Sequence, residues 1–219
     1  MRIPEHIGII PDGNRRWAEN IKLSKEKGYE YGLKPGLELY KLCKKAGVKE
    51  ITYYGFTTDN TKRPKIQTLA FTKACIDSVK MLSKENASLL VVGNSESTKF
   101  PNELKEYTTR RNFGEGGIKV NFLVNYGWHW DLENMFEKNG NEEKKREKTK
   151  ILSRICSSDI SRIDLIIRWG GRRRLSGFLP IQSIYSDFYV VDELWPDFKA
   201  DHFYEALRWY DNQDVTLGG

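Results

Sequence analysis

Apolar residues fall along this chain in short runs stopped by glycine, proline or asparagine, and between those runs they recur at helical spacing. The run His6 to Ile10 ends at Pro11-Asp12-Gly13-Asn14, a turn cluster of the kind that stops a buried strand, and a helix is expected from about Arg15. Gly36 to Ala46 has the spacing of a helix, with Gly47 where a C-cap glycine belongs. Ile51 to Phe56 reads as a strand, Ile66 to Leu82 as a helix, and Leu89 to Val92 as a buried strand ending at Gly93-Asn94. A helix over Asn102 to Arg111, a glycine turn at Gly114 to Gly117 and a strand over Lys119 to Asn125 follow. Leu165 to Ile167 closes the strand series, and Asp201 to Tyr210 is an amphipathic helix. Asn139 to Lys150 is a charge run, read as a solvated helix or loop.

Strands that alternate with helices imply an α/β fold: a single domain over residues 1–219 with a mostly parallel central sheet flanked by helices. Such sheets bind ligands at the carboxyl ends of their strands. The chemically distinctive residues of this chain sit there: Asp12, Thr57 to Arg63, Asn125 to Asp131, and Arg168 to Ser176. One cleft could gather all four groups.

Composition narrows the partners. The chain has 219 residues with 36 Lys+Arg against 30 Asp+Glu, a net charge of +6 that suits an anionic partner such as nucleic acid, acidic lipid or a phosphorylated small molecule. No apolar run reaches the roughly 20 residues of a bilayer span. The first strand begins almost at once, so no signal or transit peptide is expected, and a cytoplasmic location is the default. Cys43, Cys75 and Cys156 stand far apart and suggest neither a disulfide framework nor a zinc site. The three histidines have no metal-binding spacing, so any metal here should be a hard, oxygen-bound one.

Asp12-Gly13-Asn14 feeding a helix puts a carboxylate beside free backbone N–H groups, which suits a diphosphate bridged by Mg2+, with Arg16 adding charge. The plainer use of Asp12 or Asn14 is as a helix cap. Arg168-Trp-Gly-Gly-Arg-Arg-Arg-Leu-Ser176 offers paired glycines with arginines and a serine hydroxyl, a phosphate-binding set that an RNA-binding loop would share. A carboxylate in the same cleft argues for a metal between the two, since it would repel a bare nucleic-acid backbone.

These segments resemble the cis-prenyltransferase family, which includes undecaprenyl and dehydrodolichyl diphosphate synthases. His6-Ile-Gly-Ile-Ile-Pro-Asp12-Gly-Asn-Arg-Arg-Trp17 is similar to the first family signature, in a form nearer the archaeal and eukaryotic pattern. Phe56-Thr-Thr-Asp-Asn60-Thr-Lys-Arg63 is similar to the second, Asn125-Tyr-Gly with Asp131 to a third, and Arg168 to Phe178 with Leu194-Trp-Pro-Asp-Phe198 to the last. The resemblance implies a homodimer using an allylic prenyl diphosphate and isopentenyl diphosphate, with Mg2+ held by Asp12 and assisted by Asp187. It implies that Gly13, Asn14, Arg15, Arg16 and Arg63 hold the allylic diphosphate, joined as substrate contacts by Lys25, Tyr29 and Thr57. Arg168, Arg174 and Ser176 would hold the second diphosphate, Asn60 would orient the reacting groups or relay the lost proton, and Trp17 would help house the prenyl chain.

The chain also departs from the family. Tyr29 stands where the family has a phosphate-binding histidine, Lys25 where an arginine is common, Asp187 where a glutamate assists the metal, and Arg172 where a glutamate is usual. The tail Thr216-Leu-Gly-Gly219 lacks the family's C-terminal arginine, and Arg172 is a candidate to supply that charge. Leu123 and Val124, bulky where small residues often line the tunnel, suggest a short or medium product. The expected activity is cis elongation. The alternatives are non-head-to-tail, lavandulyl-type condensation and, outside the class, a nucleic-acid-binding module or a non-catalytic subunit. Peripheral membrane contact is plausible for a lipid product.

Overall fold

The computed structural model describes residues 1–133 and 153–214. Seven strands form one sheet: β1 His6–Ile10, β2 Glu50–Tyr54, β3 Ala87–Val92, β4 Arg111–Asn112, β5 Ile118–Leu123, β6 Leu165–Arg168 and β7 Asp187–Val190. Their order is β4-β3-β5-β2-β1-β6-β7, and every pairing is parallel except β3 with β4. The expected mostly parallel α/β architecture is therefore present.

The central strands are apolar because both faces are covered. Alternate side chains divide between two cores. Ile7, Ile9, Ile51, Tyr53, Val120 and Ile167 point to one face, where they meet α3 Leu33–Ala46, α4 Lys65–Leu82 and α6 Ala200–Asp211. Ile10, Tyr54, Leu123 and Ile166 point to the other, under Ile160, Ile163, Phe178 and Leu179 of the long connections around β6. The other α-helices among the described residues, α1 Asn14–Asn20, α2 Gly28–Tyr31 and α5 Trp128–Glu133, lie in the connections that follow β1 and β5.

Two expectations change. The helix read over Asn102 to Arg111 is a 3-10 helix, Asn102–Tyr107, followed by the short antiparallel strand β4. The strand series does not close at Ile167, because β7 adds a parallel edge beside β6. The charge run Asn139 to Lys150 and the tail Thr216 to Gly219 lie outside the described residues. No helix among the described residues is long and apolar enough to cross a membrane.

Candidate active site

In parallel register, the carboxyl ends of β1 and β6 coincide, with Ile10 beside Arg168. Gly13 adopts φ +110°, and a β-carbon there would come within 2.8 Å of the Leu194 side chain, so a glycine lets the chain turn from β1 into α1. Gly13 is the N-cap of α1 and makes no side-chain cap, while the Asn14 amide donates back to the Pro11 carbonyl at 3.1 Å. Neither Asp12 nor Asn14 is used as a helix cap. Asp12 instead accepts from Arg168 Nη2 at 2.8 Å and pairs with Arg16 Nη2 at 3.4 Å.

Arg168 is 4% exposed. Its Nη1 donates to Ser176 Oγ at 3.0 Å and to the Arg174 carbonyl, and its buried Nε has no partner among the described residues. One guanidinium thus joins the Asp12 turn to the Arg174–Ser176 loop. Arg16 Nη2 also donates to the Gly170 carbonyl at 2.9 Å. Gly170 has φ +86°, and a β-carbon would lie 2.5 Å from Arg16 Nη2 and 3.0 Å from the Asp12 carbonyl, so only glycine permits this approach.

These residues border a polar cleft of ≈ 490 Å³. Among the described residues seven cationic side chains line it, Arg15, Arg16, Lys25, Arg63, Arg168, Arg172 and Arg174, against the carboxylates of Asp12, Glu19 and Asp59. The excess of positive charge, gathered in one concavity, selects an anion of high charge density. Besides Arg16 and Arg168, two more of the cations are paired within the protein: Arg15 Nη1 donates to Gln67 Oε1 at 3.3 Å, and Lys25 pairs with Glu19 at 2.9 Å. Thr57 and Asn60 close one wall, each bonding the other's backbone: Asn60 Oδ1 accepts from the Thr57 N–H at 3.1 Å, and the two form a capping box.

Tyr29 stands at the inner edge of the cleft. Its phenol accepts from Arg63 Nη1 at 2.8 Å, and its ring stacks on Phe71 with centroids 4.5 Å apart. Burial pushes the Tyr29 phenol up despite the nearby Arg63 and Arg15, so it is neutral and keeps its own proton to donate. Behind it lies an apolar channel of ≈ 70 Å³ between α3, α4 and the sheet, lined by Leu33, Leu37, Tyr53, Cys75, Leu82 and Phe122. Pro11, Asn14, Tyr29, Tyr54, Gly55 and Phe71 border both spaces. Burial raises the Cys75 thiol to about 12, so the channel wall presents no thiolate nucleophile.

Four expected placements differ. Asp187 opens β7 opposite Leu165, at the amino end of the sheet, where it lies 4.0 Å from Arg2; the structure does not bring it to Asp12. Trp17 Nε1 donates to Asp197 Oδ1 at 2.7 Å and its ring contacts Tyr31, so it anchors α1 and does not line the channel. Asp131 turns inward, accepting from Tyr126 Oη and Ser157 Oγ at 2.7 Å each, and Asn125 donates to the Asn94 carbonyl. Leu123 and Val124 pack in the two cores, and it is their neighbour Phe122 that reaches the channel. Conversely, Tyr54 and Phe71 border the site although no sequence motif marks them. The alternation of Ile51 to Tyr54 could have singled out Tyr54, the last residue of its strand; Phe71 is one of many apolar positions on α4.

Among the described residues no three His, Cys, Asp or Glu side chains are grouped to hold a metal ion. A half-exposed single carboxylate suits Mg2+, which is commonly held by one or two carboxylates together with substrate phosphates.

An open parallel sheet whose carboxyl ends hold a cationic cleft, continued by an apolar channel, is built for a ligand with an anionic head and a hydrocarbon tail. Known proteins agree with that class. Residues 10–218 match the family model described as "Putative undecaprenyl diphosphate synthase". The chain is 32% identical to the ditrans,polycis-undecaprenyl-diphosphate synthase ((2E,6E)-farnesyl-diphosphate specific) of Yersinia pseudotuberculosis, covering 100% of this chain and 91% of the relative. It is 31% identical to an isoprenyl transferase of Clostridium tetani, covering 99% and 90%. A crystal structure of lavandulyl diphosphate synthase from Lavandula x intermedia in complex with dimethylallyl diphosphate has the same fold, with TM-score 0.85, 21% identity, and coverage of 99% and 98%. The chain belongs to the undecaprenyl diphosphate synthase family of prenyltransferases, the cis-prenyltransferases.

Proposed function

We propose that the protein condenses an allylic prenyl diphosphate with isopentenyl diphosphate, in a Mg2+-dependent reaction, to give a Z-configured polyprenyl diphosphate. The observation that carries this reading is that the cationic cleft and the apolar channel adjoin, sharing Tyr29, Tyr54 and Phe71 in their walls. An allylic substrate would set its diphosphate among Gly13, Asn14, Arg15, Arg16 and Arg63, with Lys25, Tyr29 and Thr57 at the margin and its chain running into the channel. The second diphosphate would lie against Arg168, Arg174 and Ser176, with Arg172 at the rim. Asp12 is the residue that would hold Mg2+, whose charge assists departure of the diphosphate. Fixed guanidinium groups do the same without reorganising during the reaction. Asn60 would orient the two reacting ends, and the apolar wall would exclude water from the developing cation.

A homodimer is part of the proposal, supported by the exposed Ile184 and Tyr185 close to the edge strand β7. Contact with a membrane is supported by the exposed Ile66 and Leu69 on α4, the helix that also contributes Phe71 to the cleft. Asp187 stays a candidate metal-assisting residue only if another copy of the chain brings it near a cleft.

The test is to incubate protein and Mg2+ with dimethylallyl, geranyl, farnesyl and geranylgeranyl diphosphates, each with and without isopentenyl diphosphate, and to determine product mass and configuration. A Z head-to-tail product that disappears in Asp12→Ala is expected. Branched products, or products formed without isopentenyl diphosphate, would replace this reading with non-head-to-tail condensation.

A further inference from the structure

Ser176 is held in an unusual way. Its φ is +56°, in the left-handed region that residues with a β-carbon seldom occupy, and Gly177 follows at +80°. A backbone kept there needs a partner that makes the conformation worthwhile. The Ser176 carbonyl has one among the described residues: it accepts from the phenol of Tyr54 at 2.7 Å. The same turn of chain presents Ser176 Oγ to Arg168 Nη1 at 3.0 Å, and Arg168 reaches on to Asp12.

Tyr54 is well placed to be the fixed end of this chain of bonds. It is the last residue of β2, is 9% exposed, and pairs in register with Leu123 of β5. Its ring lies 5.1 Å from Phe178 and 6.4 Å from Tyr126, so the phenol cannot swing away without opening the core. Three residues further on, Thr57 begins the segment that lines the opposite wall of the cleft. The short stretch from Tyr54 to Thr57 therefore ties the Ser176 loop to the Thr57–Asn60 wall.

We propose that Tyr54 is a positioning residue for the second substrate: its hydroxyl holds Ser176 in the left-handed conformation that aims Ser176 Oγ and Arg168 at the homoallylic diphosphate. The inference rests on the assignment of that diphosphate to Arg168, Arg174 and Ser176. Tyr54 acts through Ser176 and needs no contact with the reacting carbons.

Tyr54→Phe removes the hydroxyl and keeps the ring. The expected result is a KM for isopentenyl diphosphate raised about three- to tenfold, the factor worth one neutral hydrogen bond, with kcat and the KM for the allylic diphosphate changed less than about twofold. An unchanged KM for isopentenyl diphosphate, or equal rises in both KM values, would overturn the proposal. Amide hydrogen exchange over residues 172–178, with and without inorganic pyrophosphate, tests the strut without turnover. Pyrophosphate should slow exchange there in the wild-type protein and less so in Tyr54→Phe; equal protection in the two proteins refutes the strut. If the wild-type protein makes no product from isopentenyl diphosphate, the reaction assigned above fails, and the exchange difference alone decides the role of Tyr54.

Discussion

Two polar clusters at opposite ends of the central sheet are built in opposite ways. At the amino end, Arg110 donates to Asn121 Oδ1 at 2.7 Å, Asn121 donates to Glu50 Oε1 at 2.7 Å and to Thr52 Oγ1 at 2.9 Å, and Thr52 meets His6 Nε2 at 2.8 Å. His6 Nδ1 lies 3.1 Å from the Ser161 carbonyl, and Ser161 Oγ donates to Glu50 Oε2 at 2.8 Å. Each of these side chains is satisfied by another, and the network is largely buried. At the carboxyl end, among the described residues, Arg168 keeps a buried Nε without a partner, Asp12 is half-exposed, and cations outnumber carboxylates around an open cleft. A polar group closed by its neighbours stabilises the fold; one left incomplete beside a cavity is available to a ligand.

That contrast can be broken by exchanging which property a substitution damages. Asp12→Asn should lower turnover by about 10³-fold, a typical cost of losing a charge-stabilising group, while altering stability by only about 1–2 kcal/mol because the amide oxygen still accepts from Arg168; steady-state rates and thermal melts measure the two. Asn121→Ala should do the reverse, costing about 2–4 kcal/mol of stability by leaving Arg110 and Glu50 short of partners, with KM values intact wherever the protein is folded. Denaturant titration checks it, and a selective loss of substrate affinity would blur the distinction between the ends.

A smaller effect is expected from pH. Burial, opposed by Glu50, lowers the pKa of His6 below 6.5. Above that pH the imidazole is neutral folded and unfolded, and contributes no pH dependence. As pH falls through 6.5 the unfolded chain takes up a proton that the folded one resists, so stability should drop by up to about 1.4 kcal/mol per pH unit. Melts at pH 7.5 and 5.5, compared with those of His6→Gln, read this contribution. The smallest effect falls on the allylic half-site: Tyr29→Phe removes a hydroxyl bonded to Arg63 and should weaken allylic diphosphate binding about three- to tenfold, as measured by titration with the unreactive thio-analogue.

Much of this was legible in sequence because the buried strands are continuous apolar runs and β1, β2 and β6 end in turns that carry chemistry. Asp12 and Arg168 could be placed at strand ends from Pro11-Asp12-Gly13 and Gly170-Gly171 alone. The edge strand β7 was not legible, since Asp187 to Val190 is half-exposed on both faces and shows no alternation. Missing β7 also hid which end of the sheet Asp187 occupies. Trp17 and Asp131 were misread for a related reason: an aromatic or a carboxylate near a motif does not declare whether it faces the cleft or an internal partner such as Asp197 or Ser157. Tyr29 with Arg63, and Tyr54 with Ser176, meet across long sequence separations that periodicity does not encode.

The most direct test is a crystal structure of the protein with Mg2+, an unreactive farnesyl thiodiphosphate and isopentenyl diphosphate. The expected result is two diphosphates, one at Asp12, Arg16 and Arg63 and the other at Arg168, Arg174 and Ser176, with the farnesyl chain entering past Tyr29 and Phe71 between α3 and α4. A hydrocarbon chain lodged elsewhere, or a single diphosphate shared by both groups of arginines, would contradict the account.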